Sequence, residues 1–246
     1  MKIMQQVEIY NGVKLSIIIP VYNEAKTILD IFNRVTAVDF GMEREIIVID
    51  DGSNDDTARL LKSEIRNPKS ETNSKIRVIF QDKNQGKGAA IRRGFQEAVG
   101  EIIIIQDADL EYAPNELPGL LKPILDGRSD IVYGSRFLKK IHHRYFLFYL
   151  GNRLISFLYK IFYNAKITDP MTCYKIFKRS TLSHFTLKAN RFEIDSELTS
   201  NFLKAGYKIL ELPISYQGRT FQEGKKINWK DGLKSLLTIL KIRFGF

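Results

Sequence analysis

The chain has 246 residues, 44% hydrophobic and 27% charged, which is enough apolar content to bury a core and too much for a disordered chain. Its 38 basic residues against 28 acidic ones give a formal net charge of +10, which suits an anionic partner: a nucleotide, an acidic membrane or a nucleic acid. The single cysteine, Cys173, excludes an intramolecular disulfide and fits a reducing compartment. With only three histidines beside it, zinc-ligand spacing is excluded too.

Residues 15–20 predict a first buried strand, ending in Pro20-Val21-Tyr22-Asn23-Glu24. Ile28, Ile31, Phe32 and Val35 then recur at helical spacing. Residues 45–49 predict a second strand that runs into Asp50-Asp51-Gly52-Ser53-Asn54, with a helix following to about Arg66. The polar stretch 67–74, containing Pro68, reads as an exposed connection. Residues 76–80 predict a third strand, followed by Asn84-Gln85-Gly86-Lys87-Gly88 and a helix to about Val99.

Four consecutive isoleucines, 102–105, predict a strand buried on both faces, as in a parallel sheet. They lead directly into Gln106-Asp107-Ala108-Asp109. Pro114 marks the first turn of another helix, and residues 130–133 predict a fifth strand. Beyond it the pattern is less regular. Residues 172–177 read as a strand, 192–205 as a helix closed by Gly206, and 207–216 as extended and interrupted by Pro213.

Alternating strands and helices with short turns predict an α/β domain with a mostly parallel central sheet flanked by helices. No Gly-x-Gly-x-x-Gly follows the first strand and no Gly-x-x-x-x-Gly-Lys-Ser/Thr occurs, which argues against a dinucleotide fold and a P-loop nucleotidase. Parallel strands deliver their carboxyl ends to one edge, where such sheets bind ligands. Glu24, Asp50, Asp51, Asp107 and Asp109 therefore converge on one cleft. Burying carboxylates side by side is costly unless a cation neutralises them. Oxygen ligands of this kind suit Mg²⁺ or Mn²⁺, and Mg²⁺ is commonly shared between one or two carboxylates and substrate phosphates. The alternatives are a solvated turn with capping aspartates at 107–109 and an ordinary turn at Asp51-Gly52-Ser53.

Pro20-Val21-Tyr22-Asn23-Glu24, Asp50-Asp51-Gly52-Ser53, Gly86-Lys87-Gly88-Ala89 and Asp107-Ala108-Asp109, with Gly134-Ser135-Arg136, Arg219 and Lys225 at matching spacing, resemble the inverting GT-A glycosyltransferases of family 2. Within them the pattern resembles the dolichol-phosphate mannose synthase branch over residues 14–232. The resemblance implies a GT-A nucleotide-diphospho-sugar transferase fold and transfer of a hexose from a nucleotide sugar to a polyprenyl phosphate. It implies nucleoside contacts at Pro20, Tyr22, Glu24, Ile49 and Asp51. It implies a metal and diphosphate site at Asp107, Ala108, Asp109 and Glu111, with Asp107, Asp109 and Glu111 as metal ligands. Arg136, Arg219 and Lys225 would be phosphate-binding cations; arginine's planar fork suits phosphate oxygens and keeps its charge at any working pH. The chain departs from the family pattern at Glu111, where Gln is common, at Phe137-Leu138-Lys139-Lys140, which lacks a usual glycine pair, and at Asp56, which replaces a glycine. A GDP-hexose and a UDP-hexose both stay open as donors.

Glu193, Asp195 and Glu197 form a second acidic cluster. On a helix Glu193 and Glu197 share a face and Asp195 points elsewhere. In hydroxyl-directed relatives a carboxylate in this region resembles the catalytic base, so Asp195 is the candidate base for a sugar-hydroxyl acceptor. A phosphomonoester already carries about −1.5 to −2 charge near neutral pH and needs cations rather than a base. A non-enzymatic anion-binding module is the remaining alternative. It lacks a nucleic-acid recognition motif and leaves the converging carboxylates unexplained, so no nucleic-acid partner is expected.

Residues 144–163 predict an amphipathic helix. Phe146, Leu150, Leu154, Phe157, Leu158 and Ile161 form an apolar stripe, with Asn152, Arg153, Ser156 and Lys160 opposite. Residues 229–246 repeat the design, with Trp229, Leu233, Leu236, Leu237 and Leu240 on one face and Lys230, Lys234 and Lys241 away from it. Both suit a bilayer interface, and either could instead pack on the chain's own core. With no charged-then-apolar leader in view, the expectation is one GT-A domain in the cytoplasm, peripherally bound to the anionic inner leaflet. It divides into a nucleotide-sugar half (14–136), an acceptor half (137–228) and the terminal helix.

Overall fold

The computed structural model describes residues 14–66, 74–139, 146–220, 222, 224 and 226–245. Lys225, expected as a phosphate-binding cation, lies outside them. The first half alternates as the pattern predicts: β1 (Leu15–Val21), α1 (Ile28–Ala37), β2 (Arg44–Asp50), α2 (Thr57–Arg66), β3 (Ser74–Phe80), α3 (Lys87–Glu97) and β4 (Ile102–Ile105). After α4 (Leu117–Leu125) come β5 (Ile131–Ser135), α5 (Phe146–Tyr163), β6 (Lys175–Lys178), α6 (Ile194–Lys204), β7 (Leu210–Pro213) and α7 (Trp229–Phe244).

The strands form one sheet in the order β3-β2-β1-β4-β6-β5-β7. β1 pairs in parallel with β2 and β4, β2 with β3, and β5 with β7, while β6 runs antiparallel to both of its neighbours. The isoleucines of β4 and the residues of β1 are buried throughout, which explains their unbroken apolar runs: both strands are central and covered on two faces. Ile28, Ile31, Phe32 and Val35 of α1 are buried as their spacing predicts.

Insertion of β6 between β4 and β5 was not legible in the sequence. Its consequence is functional: an antiparallel strand begins at the edge where its neighbours end. Cys173, Tyr174 and Lys175 therefore enter the sheet beside the carboxyl end of β4, with Ile176 opposite Ile104.

A second, smaller apolar cluster joins α5 and α7 through Ile155, Tyr159 and Ile239, with Tyr163, Met171, Leu203 and Leu236 packed against it. Two polar residues of α5 are turned inward: Asn152 Nδ2 and Ser156 Oγ both donate to the Thr168 carbonyl, at 2.9 and 3.2 Å. Leu150, Leu154, Phe157 and Ile161 are left facing solvent, as are Trp229, Leu233 and Leu237 of α7. Packing on the chain's own core thus uses the face of α5 opposite its apolar stripe, and on α7 it takes Leu236 from the stripe while leaving Trp229, Leu233 and Leu237 outside. The Phe146 side chain lies outside the described set. Among the described residues no helix is long and apolar enough to cross a membrane.

Candidate active site

The carboxyl ends of β1, β2, β4, β5 and β7 and the start of β6 surround a cavity of about 270 Å³. Pro20, Tyr22, Glu24, Asp51, Asp107, Ala108, Asp109, Glu111, Arg136, Asp195 and Arg219 all line it, so the residues expected from separate motifs meet in one place. Ile49 does not line it. Its side chain is fully buried within β2, where it packs in the core. Asp50 is also turned away from the cavity: its Oδ1 accepts from the Ser53 amide and hydroxyl and fixes the turn after β2.

That turn needs a glycine. Gly52 has φ +68°, and a Cβ there would lie 2.5 Å from the Lys83 carbonyl carbon. The close approach brings the 81–86 loop onto Asp51, whose Oδ1 accepts from the Gln85 amide at 2.9 Å and the Gln81 side chain at 3.0 Å, and whose Oδ2 accepts from the Gly86 amide at 2.8 Å. Gly86 itself has φ +104° and abuts the Asn190 carbonyl. The result is a rigid loop that opens α3 and projects Lys87 into the cavity.

Lys87 Nζ donates to Asp107 Oδ2 at 2.8 Å. Burial opposes both charges, yet each offsets the other: the ammonium is held well above the ordinary lysine range and the Asp107 carboxyl below the ordinary carboxylate range. Asp109 has only the longer contact to Arg219 Nη2, at 3.4 Å. Burial, then the neighbouring Asp107 and Glu111 charges, push its carboxyl up to about 7, against the opposing pull of Arg219. Lys87 was not singled out as a site residue by sequence, although it stands inside one of the motifs quoted above.

Arg219 arrives from the segment after β7. Its Nη1 and Nη2 bind the two Glu24 oxygens at 2.8 and 3.0 Å, and Nη2 lies 3.4 Å from Asp109 Oδ2. Its amide donates to Glu111 Oε1 at 2.7 Å, while the Tyr216 hydroxyl donates to Glu111 Oε2 at 2.8 Å. Lys226 Nζ donates to Glu24 Oε1 at 2.6 Å and to the Tyr22 carbonyl. Lys226, one place beyond the expected cation, is thus a cavity cation that the sequence reading missed.

Arg136, at the end of β5, is committed to Asp169: Nε and Nη2 each donate at 2.7 Å, and its amide donates to the same carboxylate at 3.0 Å. Burial works against its charge, and Asp169 more than compensates. The guanidinium carbon lies 4.9 Å from the centre of the Tyr216 ring. Asp169 is fixed in turn, because its amide and that of Thr168 donate to Glu211 at 2.8 and 2.7 Å. Neither Asp169 nor Glu211 stood out in the sequence, because each lies outside the quoted motifs.

The acidic cluster on α6 is not a solvated face. Glu197 is buried and accepts from the Lys188 and Ala189 amides, which shapes the loop against α3. Asp195 points elsewhere, as helical spacing predicts, and lines the cavity.

Asp107, Asp109 and Glu111 do not assemble into a three-carboxylate cation site; among the described residues no such group of three occurs. Asp107 is drawn to Lys87, and Glu111 to the Arg219 amide and the Tyr216 hydroxyl. The expected ligand set is therefore not assembled in this arrangement of the side chains. The donor chemistry still fits a divalent ion held by few protein oxygens. Asp109 is a partly buried carboxylate whose charge is opposed by two acidic neighbours, and a cation would relieve it.

The family model for Glycosyl transferase family 2 matches residues 16–185. Among curated proteins, the chain is 32% identical over 224 residues to a dolichol-phosphate mannosyltransferase of Pyrococcus furiosus, covering 86% of this chain and 59% of that protein. It is 28% identical over 221 residues to an undecaprenyl-phosphate 4-deoxy-4-formamido-L-arabinose transferase of an Enterobacter species, covering 86% and 62%. The chain therefore spans about three fifths of the length of these relatives. Among solved structures, glucosyl-3-phosphoglycerate synthase from Mycobacterium tuberculosis, in complex with Mn²⁺, UDP and glucosyl-3-phosphoglycerate, superposes with a TM-score of 0.70 at 19% identity, covering 94% of this chain and 80% of that one. The fold is GT-A-like, and on the family match the chain belongs to glycosyl transferase family 2.

Proposed function

We propose that the chain transfers a hexose from a nucleotide diphosphate sugar to a polyprenyl phosphate, with inversion, at the cytoplasmic face of a membrane. The observation that carries this reading is the meeting of the Asp107–Asp109 turn with Arg136, Arg219, Lys87 and Lys226 in one cavity. Carboxylates alone would repel phosphates. Cations interleaved with them suit two anionic reactants that must be brought together. The two lipid-phosphate transferases among the relatives support the choice of acceptor.

In this reading Pro20, Tyr22 and Asp51 shape the nucleoside end, with Glu24 beside them. Asp109, with Asp107 beside it, would hold Mg²⁺ or Mn²⁺ together with the diphosphate; the structural relative above was solved with Mn²⁺ and UDP. When bound, the divalent ion supplies charge neutralisation to the departing diphosphate. Lys87 is placed to neutralise a phosphate oxygen near Asp107. Arg136 and Arg219, with Lys226 and Lys225, gather the acceptor phosphate. One of its oxygens attacks the anomeric carbon in line, and the sugar–oxygen bond breaks with its electron pair leaving on the nucleoside diphosphate. A single displacement of this kind inverts the anomeric centre and needs no general base.

The exposed stripes of α5 and α7 support peripheral docking, with Arg153, Lys160, Lys230, Lys234 and Lys241 exposed to meet anionic headgroups. The hydroxyl-acceptor alternative needs Asp195 as a base, and the ion pair described below disfavours it. The test is to incubate the protein and Mg²⁺ with a panel of UDP- and GDP-hexoses and either undecaprenyl or dolichyl phosphate, and to look for a lipid-linked phosphosugar by mass spectrometry. Such a product is expected; transfer only to sugar hydroxyls overturns the reading.

A further inference from the structure

Lys175 is a lysine with no exposed surface, set inside β6. Its ammonium donates to Asp195 Oδ1 at 2.5 Å and to the Thr172 carbonyl, and lies 5.0 Å from the centre of the Tyr133 ring. Asp195, on the first turn of α6, is 5% exposed and lines the cavity with Asp107 and Met171. Its second oxygen, Oδ2, makes no hydrogen bond to any described residue. That oxygen is left to the cavity, where it can accept from a ligand that enters.

The chemistry of that ligand is constrained on two sides. A phosphate would be repelled by the carboxylate, and a cation is already supplied by Lys175, so neutral O–H donors remain. Asp195 is close enough to the Lys87–Asp107 pair to act on the Lys87 charge. In a sugar nucleotide the hexose is joined directly to the diphosphate, so its hydroxyls fall within reach of a group next to the phosphate-binding residues. Proton abstraction is a poor fit. Protonating Asp195 would leave a fully buried ammonium without its counter-charge.

We infer that Asp195, held in place by Lys175, accepts a hydrogen bond from a hydroxyl of the transferred hexose and so takes part in selecting the donor sugar. This rests on the nucleotide-sugar reading above. It gives the Lys175–Asp195 pair a place in the site that none of the quoted motifs assigns. Asp195 is the contacting residue and Lys175 a positioning residue that holds it by Oδ1. A site that hydrogen-bonds a substrate hydroxyl rejects analogues that lack it, because its own polar group is then stranded.

The test compares binding of UDP and GDP with binding of UDP-glucose, UDP-galactose and GDP-mannose, in the presence of Mg²⁺. Asp195→Asn is one variant. The other is Lys175→Met combined with Asp195→Leu, which leaves no buried charge alone and keeps the question answerable if the single variant is unstable. Both are expected to bind the nucleoside diphosphates within about twofold of the wild type and to lose about tenfold or more of the added affinity of the sugar nucleotide. Deoxy analogues of the best donor extend the test. One deoxy position should weaken the wild type about tenfold and cost nothing further in Asp195→Asn, the non-additivity expected of two groups in contact. Unchanged preference for sugar nucleotide over nucleotide in both variants overturns the inference while leaving the transferase reading intact. So does a collapse of kcat in Asp195→Asn with donor affinity unchanged, which would mark a base. A wild type that binds no nucleotide or sugar nucleotide overturns both readings.

Discussion

Arg219 Nη2 stands 3.4 Å from Asp109 Oδ2, across 110 residues of sequence, with the rest of its guanidinium clasping Glu24. The arginine thus meets part of the cation demand of the carboxylate best suited to a metal. At the proposed metal site a divalent ion and Arg219 would therefore compete for Asp109. In Arg219→Ala, Mn²⁺ should bind several-fold more tightly in the absence of nucleotide, while transfer falls about 10²-fold through loss of a phosphate-binding cation. Titration of Mn²⁺ by electron paramagnetic resonance checks the first part and initial rates the second. Unaltered or weaker Mn²⁺ binding would show that Arg219 does not compete.

Asp109 carries a pH signature. Its carboxyl stands at about 7 against an ordinary value of 3.8, so the folded chain holds this proton more tightly than the unfolded chain does. The stability due to that preference is full below about pH 4, is lost as pH rises to about 7, and is absent above. Metal binding must displace the proton, so Mn²⁺ affinity should rise with pH up to about 7 and then level off. Asp109→Asn should remove both dependences and abolish metal-dependent transfer while the protein still folds. Affinity that is flat with pH in the wild type would contradict the assignment.

The Arg136–Asp169 pair gives a stability prediction. The Asp169 side chain has no exposed surface and receives three hydrogen bonds from Arg136. Asp169→Ala should cost about 2–3 kcal/mol, because it leaves a partly buried guanidinium without its carboxylate. Asp169→Asn keeps the shape and should lower stability less, while raising KM for the lipid phosphate more than KM for the donor. Urea denaturation and separate KM measurements check the two effects.

Trp229 is 73% exposed and Phe157 and Leu154 about half exposed, so none of them is needed by the core. Changing Leu154, Phe157 and Trp229 to glutamate should alter folding stability by no more than about 0.5 kcal/mol each. It should release the protein from anionic liposomes in a flotation assay at low salt. Retained flotation would remove the docking surface proposed for α5 and α7.

The strands before Asp51 and Asp107 were legible because central parallel strands must be apolar on both faces, and the isoleucines of β4 have few other places to go. The stripes of α5 and α7 were legible for a similar reason: periodicity gives the faces of a helix, though only the partners of Asn152 and Ser156 reveal which face turns inward. Lys175 was not legible. A lysine in a short strand looks like an exposed residue until the register of β6 sets it inside the sheet and α6 brings Asp195 to it. Ile49 is the opposite case, a residue expected at the site from resemblance whose side chain the sheet turns into the core. Asp107 and Glu111 were placed correctly at the cavity, but the sequence could not show that Lys87 and the Arg219 amide would claim their oxygens.

The central claim is that the nucleophile is a lipid phosphate. The most direct measurement supplies wild-type protein, Mg²⁺ and the preferred sugar nucleotide with ³²P-labelled undecaprenyl phosphate, in competition with unlabelled undecaprenol and a free oligosaccharide. The account predicts a single sugar-bearing product that retains the ³²P label and carries an inverted anomeric linkage, at a rate little changed when the pH is raised from about 7 to about 8.5. Sugar found on the alcohol or the oligosaccharide, with the labelled lipid unaltered, would contradict it.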